Sequence, residues 1–197
     1  FYIMKWLTDL VKKYGIDGFR VDTVKHTDEF VWDELNEIAQ NAFAEWKKNN
    51  PTEVLDTNQF HMLGEVYNYN IESGEKFHFG DKEVNYYENG FNALINFGFK
   101  YHATQHYESV FNKYDSILHH HMNGNTVANY ITSHDDGQPF DKKREKPIEA
   151  ATKLLLTPGM AQIYYGDETN RNLDYPDTEG DATLRSFMNW DEINDTS

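Results

Sequence analysis

Short apolar segments alternate with longer amphipathic segments along most of the chain, and this alternation limits the choice of fold. Apolar runs bounded by turn residues predict five strands, at residues 17–22, 60–66, 92–98, 126–133 and 160–165. Strands that alternate with helices are expected to be parallel and to be covered by helices. The sequence therefore predicts an α/β fold.

Four amphipathic helices are predicted around these strands. The first stops at Gly15 and carries apolar residues at helical spacing, which are Ile3, Leu7, Leu10, Val11 and Tyr14. The second shows the same spacing at Val31, Leu35, Ile38, Ala42 and Trp46. A third is centred on Tyr114, and a fourth begins at Pro147. The stretch 67–90 has no clear period and is predicted to be a long, irregular, aromatic-rich loop.

Composition excludes several classes of function. The chain has 197 residues, which suits one domain, and its formal net charge is −15. Such an acidic chain is unsuited to nucleic acid or to an anionic membrane surface. It contains no cysteine, which excludes disulfides and thiolate chemistry. It also contains no apolar run long enough to span a membrane.

Carboxylates follow four of the five predicted strands. They are Asp22, Glu65, Asp135 and Asp167. In parallel α/β folds the chemistry gathers at the carboxyl ends of the strands. We therefore expect an active site at these strand ends, although a structural role in ordering the last loop is an equal alternative for Asp167.

Arg20 and Asp22 share one face of the first strand, because strand side chains alternate. A guanidinium beside a carboxylate lowers the carboxylate's pKa and keeps it ionised. An ionised carboxylate at a strand end suits a nucleophile or a group that stabilises a cation. The residues alone leave open the alternative that this pair only stabilises a turn.

Two further carboxylates fit the chemistry of glycoside hydrolysis, which needs an ionised carboxylate and a protonated carboxylic acid. Glu65 has apolar neighbours in Leu63 and Val66, and partial desolvation would raise its pKa and suit it as the acid. Asp135, next to His134, is placed to stabilise the positive charge that develops on the sugar.

These residues stand in a pattern that resembles the α-amylase family, glycoside hydrolase family 13. Gly18–Asp22 with Lys25 and His26, then Gly64–Glu65, then Ser133–Asp135 resemble its second, third and fourth conserved regions. Two later segments resemble the eighth-strand segment and the downstream Arg-x-x-Met-x-Trp element; they are Tyr164–Glu168 and Arg185–Asp191. The five segments occur in family order over nearly the whole chain.

The resemblance implies roles for the reacting groups. Asp22 would be the catalytic nucleophile, Glu65 the general acid/base, and Asp135 a stabiliser of the transition state. Arg20 and His134 would bind the sugar at the cleavage site.

The resemblance also implies roles on the leaving-group side. Lys25 and His26 would line that side of the cleft. The backbone carbonyl of His26 would contribute to a structural calcium site, and no organic cofactor is expected.

The implied fold is a partial (β/α)8 TIM barrel, containing strands four to eight with their helices. Residues 1–197 would form the C-terminal half of the catalytic domain. The first three strands, the small inserted domain and the C-terminal β-sandwich have no counterpart. We expect the chain to be a piece of a longer protein, completed by the rest of its barrel or by a dimer partner.

The implied activity is retaining endo-hydrolysis of α-1,4-glucosidic bonds in starch, glycogen and maltooligosaccharides. Two alternatives remain open: a transglycosylase or α-1,6-glucosidase of the same family, and a non-catalytic glucan-binding relative. The expected partner is an α-glucan, without nucleic acid or membrane. A secreted or periplasmic location is favoured, because polymeric starch is usually met outside the cytoplasm.

Overall fold

The structure is a computed structural model that describes residues 1–194. The chain forms two compact units. The first unit comprises Phe1–Tyr69 and Glu75–Ile95, and the second comprises Asn70–Gly74 and the described residues from Asn96 onward.

Parallel strands and two long helices form the first unit. Its elements in chain order are α1 (Tyr2–Tyr14), β1 (Gly18–Val21), a 3-10 helix (Val24–His26), α2 (Glu29–Asn49), β2 (His61–Gly64), β3 (Phe77–Phe79), β4 (Lys82–Val84) and β5 (Ala93–Asn96). Strand β2 pairs in parallel with both β1 and β5. The predicted strands are confirmed, each shorter than expected.

Close packing explains the glycine that ends β2. A Cβ atom on Gly64 would lie 2.8 Å from the ring of Phe91 and 2.9 Å from the side chain of Leu94. Any side chain at this position would therefore push β5 and its preceding turn away from β2. The glycine keeps the two strands at pairing distance just before Glu65 leaves the sheet.

Helices α1 and α2 pack against each other through a face that only partly matches the predicted one, because Val11 is buried as predicted but the ends of the predicted face are not. The buried residues of α1 are Met4, Thr8 and Val11, whereas Ile3 and Tyr14 are exposed. The helix ends at Gly15, as predicted, where φ is 66°. The buried stripe is narrow, at i, i+4 and i+7, and the other apolar side chains of α1 are exposed or half-buried.

The stretch 67–90 is more ordered than predicted. Strands β3 and β4 form an antiparallel hairpin in which Phe77 faces Val84 and Phe79 faces Lys82. Tyr86, which follows the hairpin, is fully buried. Strands of three residues are too short to produce a recognisable alternation, and for this reason the sequence pattern did not reveal them.

The second unit contains the remaining elements. They are a 3-10 helix (Ile71–Ser73), α3 (Phe99–His102), α4 (Tyr107–His121), β6 (Thr126–Asn129), α5 (Pro147–Leu156), β7 (Met160–Ala161), a further 3-10 helix (Gly180–Arg185) and α6 (Trp190–Asn194). Strands β6 and β7 pair in parallel. Helix α5 begins at Pro147, as predicted.

Strands β6 and β7 end earlier than predicted. Tyr130 and Thr132 follow β6, and their hydroxyl groups donate to Asp136 and Asp167 respectively. These bonds hold the chain in a loop where the sequence pattern predicted a continuing strand. Asp135 and Asp167 consequently lie several residues beyond their strands, whereas Asp22 and Glu65 follow theirs directly.

A buried polar network lies inside the second unit. Asn96 donates to Tyr114 Oη (2.8 Å) and to Asn129 Oδ1 (2.9 Å). His102 Nδ1 lies 2.9 Å from the same tyrosine oxygen. All four side chains are buried, so each polar atom needs such a partner in place of water.

Within residues 1–194, no helix combines the length and the apolar character that crossing a membrane requires.

Candidate active site

Strand register places Asp22 beside Glu65. Val21 pairs with Gly64 at the ends of β1 and β2, so the next residue of each strand leaves the sheet at the same edge. The Glu65 N–H donates to the Val21 carbonyl (2.8 Å), and the Val24 N–H donates to the Glu65 carbonyl (3.0 Å). These bonds fix the Glu65 backbone against the turn that follows β1.

One guanidinium joins the two carboxylates. Arg20 Nη1 donates to Asp22 Oδ1, and Arg20 Nη2 lies 2.5 Å from Glu65 Oε2. Bonds between a guanidinium and carboxylates are charge-assisted and restrict geometry strongly. The predicted site residues Asp22 and Glu65 are thus brought together at the guanidinium of the third, Arg20.

The environments of the two carboxylates differ. The side chain of Asp22 is 62% exposed, whereas that of Glu65 is 9% exposed. A buried carboxylate needs a counter-charge, which Arg20 supplies. Two close carboxylates in unlike surroundings can divide the roles of nucleophile and proton donor.

The residue after Asp22 has an unusual backbone. Thr23 has φ 51° and ψ 39°, in the left-handed region that β-branched residues rarely enter. Such a conformation costs about 1–2 kcal/mol for an L-residue other than glycine or asparagine. The strained residue turns the chain from β1 into the 3-10 helix Val24–His26, next to the candidate nucleophile.

The hairpin β3–β4 contacts the residues predicted for the leaving-group side. Lys25 Nζ donates to the Tyr67 carbonyl (3.3 Å) and lies 5.1 Å, 5.6 Å and 5.9 Å from the ring centroids of Tyr67, Phe77 and Phe79. His26 packs against Phe79 edge to face, with centroids 6.5 Å apart. The sequence pattern did not predict that aromatic rings surround Lys25, because two of these rings are brought there by the β3–β4 hairpin.

The described residues do not form a calcium site around His26. Residues 1–194 contain no group of three or more His, Asp or Glu side chains that could hold a metal ion. The backbone carbonyl of His26 is a single neutral oxygen, whereas Ca²⁺ takes six to eight oxygen ligands.

His134 and Asp135 form a second group, within the second unit. Ser133 Oγ donates to Asp135 Oδ1 (2.9 Å), and His134 Nε2 lies 3.4 Å from Asp135 Oδ2. Arg185, from the Arg-x-x-Met-x-Trp segment, donates from Nε to the His134 carbonyl (2.8 Å). The His134 and Asp135 side chains are both partly open to solvent.

Asp136, for which the sequence pattern predicts no role, points inward. Its carboxylate accepts from Lys100 Nζ, Tyr130 Oη (2.8 Å) and the Gln138 backbone N–H (3.1 Å). Burial alone would raise the pKa of Asp136, but these bonds outweigh burial and lower that pKa below its ordinary value. The only signal in the sequence was the doubled acid after His134.

Asp167 is held by its neighbours. Its carboxylate accepts from Thr132 Oγ1 (2.5 and 2.6 Å), Arg144 Nη2 (2.8 Å) and the Tyr164 N–H (3.2 Å). The Arg144 and Asp167 side chains are almost fully buried. These contacts support the alternative that Asp167 has a structural role in ordering the last loop.

Comparison with known proteins identifies relatives of one kind. A family model described as "Alpha amylase, catalytic domain" matches residues 2–196. The periplasmic alpha-amylase of Escherichia coli is 36% identical over 199 residues, which cover 100% of this chain and 27% of that protein. The alpha-amylase SusG of Bacteroides thetaiotaomicron is 29% identical over 187 residues, covering 89% of this chain and 25% of that protein.

Solved structures agree in fold. An alpha-amylase of Anoxybacillus superposes with a TM-score of 0.63 at 22% identity, covering 96% of this chain and 39% of that one. The cyclic alpha-maltosyl-(1→6)-maltose hydrolase of Arthrobacter globiformis, in complex with maltose, superposes with a TM-score of 0.60 at 16% identity, covering 98% and 40%. The predicted α/β fold, part of a TIM barrel, is confirmed. The chain spans about a quarter of the length of its curated relatives.

Proposed function

Because the chain belongs to the alpha-amylase family, we propose that it carries the catalytic carboxylates of a retaining glycoside hydrolase that cleaves internal α-1,4-glucosidic bonds of starch, glycogen and maltooligosaccharides. The observation that carries this proposal is the position of Asp22 and Glu65 around the Arg20 guanidinium, at the carboxyl ends of neighbouring parallel strands. Retaining enzymes need their two carboxyl groups about 5–5.5 Å apart. Two carboxylates that bind one guanidinium are compatible with such closeness.

The first step forms a glycosyl-enzyme. An oxygen of Asp22 bonds to the anomeric carbon as the glycosidic C–O bond breaks, and Glu65 gives its proton to the departing oxygen. Glu65 is then a buried carboxylate. Arg20 Nη2, already at its Oε2, stabilises the charge that this proton transfer leaves behind.

The second step releases the sugar. Glu65 takes a proton from water, the water oxygen bonds to the anomeric carbon, and the carboxylate of Asp22 departs. Two displacements at one carbon restore the original anomeric configuration. The side chain of Asp22 is 62% exposed, so a bound sugar can reach its carboxylate.

The remaining predicted residues have supporting roles. Asp135 and His134 hold hydroxyl groups of the sugar at the cleavage site, and the charge of Asp135 stabilises the oxocarbenium-like transition state. Lys25 and His26 line the leaving-group side, where the aromatic rings of β3 and Tyr67 surround Lys25.

In domain terms, we propose that residues 1–197 are the C-terminal half of the catalytic barrel, with strands four to eight. The 39–40% coverage of the solved neighbours supports this assignment. The complete enzyme, meaning this chain joined to the first three barrel strands, would then carry the activity. The name of the periplasmic relative supports a periplasmic or secreted location.

The test is hydrolysis of a blocked maltoheptaoside by the complete enzyme. We expect internal cleavage, and a loss of several orders of magnitude in kcat for both Asp22→Asn and Glu65→Gln. Glu45→Gln, which removes an exposed carboxylate paired with Lys12, is the matched control and should retain activity.

Other outcomes favour the alternatives. Binding of maltooligosaccharide without cleavage would replace hydrolysis by a glucan-binding function. Longer oligosaccharide products would indicate a transglycosylase, and cleavage confined to branched substrates would indicate an α-1,6-glucosidase.

A further inference from the structure

Lys100 and Asp136 form a buried ion pair directly beside the candidate residue Asp135. Their side chains are 9% and 10% exposed. We propose that Lys100 and Asp136 are positioning residues, which hold the loop after β6 in the conformation that presents Asp135 to the substrate. This inference rests on the proposed function, because the pair affects catalysis only if Asp135 has the role proposed above.

The contacts of Asp136 involve residues that precede it and follow it in the loop. Tyr130, the first residue after β6, donates to Asp136 Oδ2 (2.8 Å), and the Gln138 N–H donates to Oδ1 (3.1 Å). Lys100 reaches the same carboxylate from helix α3. One side chain therefore joins the beginning of the loop, the backbone just after Asp136 and a neighbouring helix.

Consecutive side chains in this loop point in different directions. Asp135 is 40% exposed, whereas Asp136 is 10% exposed. A rotation of the backbone that moved Asp135 would also pull Asp136 from its partners. Separating the pair would leave an unpaired charge in a buried position, which is strongly unfavourable.

Two further hydrogen bonds fix the residue before Asp135 and the Asp135 side chain itself. The His134 carbonyl accepts from Arg185 Nε (2.8 Å), and the Asp135 carboxylate accepts from Ser133 Oγ (2.9 Å). With Asp136 held on the following side, Asp135 has fixed neighbours both before and after it. Catalytic groups need such support, because a displacement of about 1 Å can cost about 10²-fold in rate.

The alternative is that the pair only stabilises the second unit. The two roles differ in how their effects combine with the loss of Asp135. If the pair acts through Asp135, breaking it should not lower kcat further in an Asp135→Asn enzyme. If the two effects are independent, the fold-losses of kcat should multiply in the double variant.

The experiment measures kcat and KM of the complete enzyme at a temperature well below unfolding. We expect Lys100→Met and Asp136→Asn each to lower kcat about 10²-fold, with a much smaller change in KM. Lys100→Arg should recover most of kcat, because a guanidinium can also bind the carboxylate with two bonds. Lys142→Met removes a half-exposed lysine of the same unit and should have no effect.

The deciding measurement is Asp136→Asn in an Asp135→Asn background. We expect no further loss of kcat there, and a full additional loss would overturn the proposal. Should these variants fold poorly, Tyr130→Phe removes only one hydroxyl donor, and an unchanged kcat in that variant would overturn the proposal as well.

Failure of the proposed function gives a different result. If Asp135→Asn itself retains full activity, then the role assigned to Asp135 is wrong. If Asp135→Asn is inactive but Lys100→Met and Tyr130→Phe are fully active, only the positioning role is wrong.

Discussion

Arg20 Nη2 lies 2.5 Å from Glu65 Oε2, although 45 residues separate the two along the chain. The pairing of β1 with β2 creates this contact, because Arg20 stands opposite Leu63, one residue before the last residue of each strand. The same guanidinium also binds Asp22. A single cation therefore sets the relative position of the two carboxylates that the proposed chemistry requires.

Arg20→Lys tests this bridge. An ammonium is a compact point charge without the planar fork that lets a guanidinium bind two carboxylates at once. We expect kcat/KM of the complete enzyme to fall about 10²-fold or more, as when one preorganised donor is removed. Lys12→Met, which breaks only an exposed pair with Glu45, is the control. A change of kcat/KM no larger in Arg20→Lys than in this control would refute the bridge.

Thr23→Asn tests the strained turn after Asp22. Asparagine tolerates the left-handed conformation better than threonine does, so the variant should be about 1 kcal/mol more stable. Urea unfolding measures this difference. Thr27→Asn, at an extended residue with φ −125°, should bring no gain. Equal changes in the free energy of unfolding at both positions would show that the backbone conformation of Thr23 does not destabilise the folded state.

His102 should make stability depend on pH. Burial, and then the charge of Lys113, lower the pKa of His102 below its ordinary value of 6.5, while Glu72 acts in the opposite direction. The unfolded chain therefore binds the proton more tightly than the folded one, so this contribution is present above about pH 6.5 and is lost as the pH falls through the lowered folded pKa.

Urea unfolding between pH 8 and pH 5 measures this effect. The loss of stability on acidification should be smaller in His102→Gln than in the unchanged protein. Above pH 7.5, where His102 is neutral in both states, the two proteins should show parallel pH dependence. Parallel curves over the whole range would refute the assignment to His102.

Asp167→Asn tests the buried pair with Arg144. Removing one charge leaves the guanidinium buried and unpaired, which we expect to cost about 3 kcal/mol of unfolding free energy. Asp174→Asn breaks an exposed pair with Lys142 and should cost less than about 1 kcal/mol. Urea unfolding measures both, and similar costs for the two variants would show that burial adds nothing to the Arg144–Asp167 pair.

The sequence predicted those features that depend on local pattern. Alternation placed Arg20 and Asp22 on one strand face, and parallel pairing explains why Glu65 lies next to them. The features that it missed depend on contacts between distant segments. The hairpin β3–β4 has strands too short for a recognisable period, and the Lys100–Asp136 pair joins residues 36 positions apart.

Buried faces were predicted with mixed success, for a related reason. In α2, Leu35 and Ala42 are buried as predicted, but so are Trp32, Ala39 and Phe43. Helical spacing indicates that an apolar side exists, whereas the neighbouring elements decide which part of it is covered. The catalytic roles of Asp22, Glu65 and Asp135 remain predictions.

Covalent trapping can identify the nucleophile, which we propose to be Asp22. Glu65→Gln complete enzyme would be incubated with α-maltotriosyl fluoride, whose leaving group needs no acid, and the digested protein would be examined by mass spectrometry. We predict that maltotriosyl-enzyme accumulates with the label on Asp22, because the base for the second step is absent. A label on another carboxylate, or turnover without any covalent intermediate, would show that Asp22 is not the nucleophile.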